Sequence, residues 1–197
     1  MALEKQTYKY LMANSILNDN RNEKRLDFSV EYLIFKFFVL NTPCIKASRR
    51  SKSLEHYGWK GKINDQNGLQ ENLSSIINLN SHEFIFTDKN DLNARFEEND
   101  LVDNRLKNID IERCVIGKTL ESNKLLKLLR HIRNSLAHGK YIVVNNSQDV
   151  MTIVMQDDDQ RNVTARIVLR ISTLIGIIKI IDKNNLLSWK EITDTFR

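Results

Sequence analysis

Residues 119–139 read TLESNKLLKLLRHIRNSLAHG, and the rest of the chain is best read outward from them. Leu125, Leu129, Ile132 and Leu136 recur at i, i+4, i+7 and i+11, the spacing of a helix face turned to a core. Thr119 or Ser122 can cap the start, and Gly139 stands where a left-handed residue ends a helix. Arg130, His131, Arg133, Asn134, Ser135 and His138 crowd the end of this segment, with Lys140 and Tyr141 just beyond it. Arg130, Asn134 and His138 share a face by i, i+4, i+8 spacing, opposite the leucines. A rigid element would therefore present them at the surface.

The flanking sequence extends a helical reading. The 197 residues include one proline and six glycines, which suits long helices better than a turn-rich β sandwich. Hydrophobic residues make up 41% of the chain and charged ones 28%, enough to fill a core and unlike a disordered chain. Leu3–Leu17 is expected to be helical. Asp27 is a suitable N-cap for a second helix to Leu40, apolar nearly all round and stopped by Pro43. A basic connector from Thr42 to about Asn67 mixes Lys46, Arg49, Arg50, Lys52, Lys60 and Lys62 with His56, Tyr57 and Trp59. Residues 69–79 and 90–109 read as helical, with a weakly alternating stretch at His82–Thr87 that suits a short strand.

Beyond Gly139, YIVV and MTIVM flank NNSQDV as a β-hairpin. QDDDQRN reads as a loop with Asn162 as the next N-cap. Ile167, Ile171, Leu174, Ile178 and Ile181 fit one face of a final helix, although the β-branched run also suits a strand. With no internal repeat or low-complexity tract, residues 1–197 are expected to form a single domain. The fold class expected is mostly α, a helical bundle with a small β-hairpin between its last two long helices.

Charge and thiols exclude some functions. The formal net charge is +5, with two basic thirds flanking an acidic middle, compatible with an anionic partner without requiring one. Cys44 and Cys114 lack the paired spacing of a disulfide framework or zinc site. No apolar leader precedes the first helix, and YLIFKFFVL and LIGIIKII fall short of the ~20 residues of a membrane span. A soluble, cytoplasmic protein with no membrane partner is expected. No glycine-rich phosphate loop, nucleophile elbow or HExxH occurs, and no metal or cofactor is expected. Asp157–Asp159 could attract a cation but suit a solvated turn. His56 and His82 have no companions at ligand spacing.

The chemistry that suits the helix end is phosphodiester handling. Arginine offers a planar cation that can hold a phosphate through two hydrogen bonds. Histidine can remove and deliver protons near neutral pH, and asparagine can orient either group. An RNA strand brings its own nucleophile, the 2′-hydroxyl, so base and cation could suffice without a metal. Spacing alone leaves a structural alternative open, because cationic groups near a helix C-terminus also favour the helix dipole.

The stretch LLRHIRNSLAHGKY resembles the signature of the HEPN superfamily (higher eukaryotes and prokaryotes nucleotide-binding domain). Its motif is an Arg, often followed by a polar residue, with a His after four to six intervening residues. Here these are Arg133, Asn134 and His138. The resemblance implies a helical bundle, metal-independent RNase activity, and dimers in which two motifs face one cleft. It makes Arg133, Asn134 and His138 the catalytic candidates, with Arg130, His131, Lys140 and Tyr141 as RNA contacts. It also implies roles as a toxin or antiviral defence factor, with a regulatory or antitoxin partner. HEPN toxins paired with nucleotidyltransferase antitoxins often carry Tyr two positions after the His; here Lys140 stands there and Tyr141 follows. The alternative is a non-catalytic HEPN-like domain that binds RNA, a nucleotide or a protein. A two-fold homodimer is expected, since one motif offers no separate acid and the last helix is apolar on more than one face.

Overall fold

The computed structural model describes residues 24–44, 49–60, 67–102, 108–117, 123–159 and 162–187. The helix expected at Leu3–Leu17 and the caps expected at Thr119 and Ser122 lie outside them. Helix α1, Phe28–Ile34, starts at Asp27, whose Oδ1 accepts from the Ser29 amide at 2.9 Å. It runs directly into a π-helical turn, Phe35–Leu40. Val30, Leu33, Ile34, Phe37 and Phe38 are buried at i, i+3, i+4 spacing. The opposite face is not: Phe28 is 80% and Tyr32 54% exposed, so α1 is buried on one face only, although apolar residues lie nearly all round it.

Among the described residues, three more helices lie between α1 and the one that follows the sheet. They are α2 (Asn67–Ser74), α3 (Leu92–Glu98) and α4 (Lys124–Ala137). Helix α4 is the one read from its leucine stripe, and Leu125, Leu129, Ile132 and Leu136 are all buried. Asn123 caps it, its Oδ1 accepting from the Leu125 and Leu126 amides at 2.8 and 3.3 Å.

The expectation of a mostly α bundle is overturned by a five-stranded mixed sheet in the order β1-β2-β5-β4-β3. Its strands are β1 (Phe84–Phe86), β2 (Arg113–Ile116), β3 (Tyr141–Asn145), β4 (Met151–Asp159) and β5 (Asn162–Arg170). β1 and β2 run parallel and the other pairs antiparallel. The hairpin around NNSQDV and the strand at His82–Thr87 are both present. QDDDQRN does not read out as a loop, because β4 continues through Asp159, and Asn162, placed as an N-cap, instead starts β5 paired with Asp159. The expected last helix is split: its first part is β5, and only Ile171–Ile181 is helical, as α5. β5 lies between β2 and β4 with both faces covered. Such a strand reads as a continuous apolar run, which here happens to fit helical spacing.

Alternation along the strands divides the core in two. Ile153, Met155, Ile167, Leu169 and Cys114 face α1, α4 and α5. Val154, Val168, Val115 and Val144 face Leu92 and Phe96 of α3, with Leu101 and Ile109. Two buried arginines hold this second layer. Arg113 donates to the carbonyls of Asn99, Asp100, Asn108 and Ile111, and Arg166 donates to Leu101 beneath the Phe96 ring. Burial lowers the Arg113 pKa, with nearby Asp100 opposing. Both cysteines are buried thiols, and burial pushes Cys114 well above its ordinary pKa.

In the described part of the basic connector, Arg49, Arg50, Lys52 and Lys60 are exposed and the two large rings pack inward. Tyr57 is buried and donates to the Asn41 carbonyl at 2.7 Å, while Trp59 Nε1 donates to Ile181 O at 2.9 Å. Burial, then the charge of Asp182, raises the Tyr57 pKa. Both rings thus tie the end of the π-helical turn to the end of α5. Among the described residues, no helix is long and apolar enough to cross a membrane.

Candidate functional site

The last turns of α4 lie against the far end of β4. Helix α4 closes through His138 and Gly139: Gly139 N–H bonds Leu136 O and Lys140 N–H bonds Ser135 O, with Gly139 at φ +64°. That pair of bonds is the Schellman stop, which a glycine adopts without steric cost. His138, the C-cap, is therefore held by its backbone N–H bond to Asn134 O, and its side chain is exposed.

β4 alternates without interruption through its aspartates. The irregularity lies on β5, where Ala165 and Val163 face Asp157 and Asp158 with Thr164 extra between them. Asp157 therefore shares the face of Ile153 and Met155, toward α4, and Asp158 takes the other face. Neither belongs to a solvated turn. Asp157 is 4% exposed, and its Oδ2 lies 2.7 Å from His131 Nδ1 and accepts from Asn134 Nδ2 at 3.0 Å. Asn134 Oδ1 in turn accepts from Arg133 Nη1 at 3.0 Å. One hydrogen-bonded chain thus runs His131–Asp157–Asn134–Arg133.

Against a carboxylate that only accepts, His131 carries its proton on Nδ1. His131 is 3% exposed and its Nε2 has no hydrogen-bond partner among the described residues. It sits behind the site, so the surface role expected of it is corrected: it braces Asp157. Arg133 and Asn134 are half-buried.

The other expected contacts are more dispersed. Lys140 pairs with Asp158, and because Lys140 O accepts from Gln156 N, both belong to the sheet face away from α4. Tyr141 packs edge-on against Phe35, and its hydroxyl reaches Glu31 Oε1 at 3.5 Å, tying β3 to α1. Arg130 is half-buried on α4. The structure thus joins Arg133 and Asn134 directly and leaves His138 exposed one turn on. It adds Asp157, which the sequence reading set aside as solvated; extending the Ile153, Met155 alternation by one step would have put it on the α4 face. Among the described residues, no group of three or more His, Cys, Asp or Glu is placed to hold a metal ion.

A family model described as HEPN pEK499 p136 matches residues 60–183, a span that takes in the whole sheet, α4 and α5. No curated protein and no solved structure matches the chain.

Proposed function

Since the chain belongs to the HEPN pEK499 p136 family, within a superfamily of nucleotide-binding and RNase-like domains, we propose that it is a metal-independent endoribonuclease. The observation that carries this reading is the ordered Arg133–Asn134 pair one helical turn before an exposed His138. In the proposed reaction His138 takes the proton of a ribose 2′-hydroxyl, whose oxygen forms a bond to the adjacent phosphorus. The bond from phosphorus to the 5′-oxygen breaks, and that oxygen receives a proton. Arg133 holds the non-bridging oxygens as their charge rises, and Asn134 fixes Arg133.

The products decide it. Labelled RNA incubated with the protein in chelator should yield one fragment ending in a 2′,3′-cyclic phosphate and another beginning with a 5′-hydroxyl. A single 2′-deoxy nucleotide at the cut should stop cleavage and leave binding, which rests on phosphates, nearly unchanged. Products with 5′-phosphate and 3′-hydroxyl ends, or activity lost to chelator, would overturn the mechanism. Binding without any cleavage would leave a non-catalytic HEPN domain.

The same reading calls for a second protonated group at the leaving oxygen, and a two-fold dimer would supply it as the partner's copy of the histidine. Light scattering at micromolar protein should give twice the chain mass; a monomer that still cleaves would refute the paired site. Work as a toxin or antiviral defence factor under a regulatory or antitoxin partner belongs to the same proposal, and growth arrest on expression of the wild type but not of His138→Ala is its test.

A further inference from the structure

We propose that Asp157 is the positioning residue of this site, acting on Arg133 through Asn134; the claim rests on the reading that Arg133 serves phosphodiester cleavage. An asparagine amide has two ends of nearly equal shape, and its neighbours decide which end faces where. Asp157 Oδ2 is buried and only accepts, so it takes the Nδ2 end of Asn134 at 3.0 Å. That choice turns Oδ1 toward Arg133, which can only donate and does so at 3.0 Å. His131 Nδ1, 2.7 Å from the same oxygen, steadies the carboxylate from its other side. Each link thus dictates the polarity of the next.

The support is rigid. Asp157 sits on β4, paired to β5 at Ala165, while Asn134 and Arg133 sit on α4. The bond to Asn134 is the one side-chain hydrogen bond that Arg133 makes among the described residues. Without the carboxylate, the amide can rotate its N–H₂ end toward the guanidinium, and two donors then face each other. Arg133 would lose the brace that Asn134 gives it while keeping its charge.

The test follows Arg133 itself, by guanidinium ¹⁵N NMR on the full chain, with Arg133→Lys identifying its signal. In the wild type, rotation about the guanidinium bonds should be hindered. Asp157→Ala and Asn134→Ala should each release it, and the double variant should release it no further. Asp157→Asn, which still offers an accepting oxygen, should restore much of the hindrance. Asp157→Leu combined with His131→Phe removes the carboxylate without stranding a buried imidazole, and covers the case in which Asp157→Ala does not fold. In cleavage assays, kcat should fall in Asp157→Ala about as far as in Asn134→Ala, with KM little changed and no added loss in the double variant. An Arg133 signal unchanged in a folded variant without the carboxylate would overturn the proposal. So would losses in kcat that multiply in the double variant. If the wild type cleaves no RNA, the catalytic reading fails, and the NMR comparison still decides whether Asp157 sets Arg133.

Discussion

Replacing His138 with alanine should lower the rate of RNA cleavage by about 10²–10⁴-fold, the usual contribution of a general acid–base group. The fold should not change. His138 caps α4 through its backbone N–H, which alanine retains, and its side chain is exposed. The measurement is single-turnover cleavage of a labelled RNA at saturating protein, with thermal melts of both proteins as control. Binding should hold within a few-fold, because phosphate contacts dominate affinity for RNA and the imidazole serves the chemical step. Near-normal cleavage by the purified variant would mean that the base lies elsewhere.

Arg133→Ala should be nearly as damaging, by about 10²–10³-fold, since a preorganised donor aimed at developing charge commonly contributes that much. Arg133→Lys should recover little of it. Arginine can bond Asn134 through Nη1 while Nη2, fixed in the same plane, reaches a phosphate. An ammonium is a point charge on a flexible stem, and it cannot serve both partners in a fixed plane. The loss should fall on kcat, with the melting temperature little affected: Arg133 is half-buried, and its Nε is buried without a partner among the described residues. Full rescue by lysine would reduce Arg133 to a general electrostatic role.

These predictions concern the part of the molecule most legible in the sequence. The leucine stripe of α4, the Asp27 cap and the hairpin around NNSQDV all depend on residues within a few positions of one another. The fold class was not legible. β2 has four residues, all buried, too few to show a period. β5 has both faces covered, so its run ARIVLR lacks the alternation that separates strand from helix. Its end at Arg170 depends on its pairing with β4 and β2.

The site divides along the same line. By sequence alone, the chain determined a helix carrying Arg133, Asn134 and His138 and its resemblance to HEPN domains. Helical periodicity, caps and a compact motif are written in near neighbours. Only the tertiary structure decided that His131 turns inward, that Lys140 leaves for the opposite sheet face, and that Asp157 meets Asn134 and His131 from 23 and 26 residues away. Strand pairing and buried polar contacts join positions far apart along the chain. Whether such a carboxylate meets solvent or a helix depends on which strand lies across that helix, which no local pattern specifies.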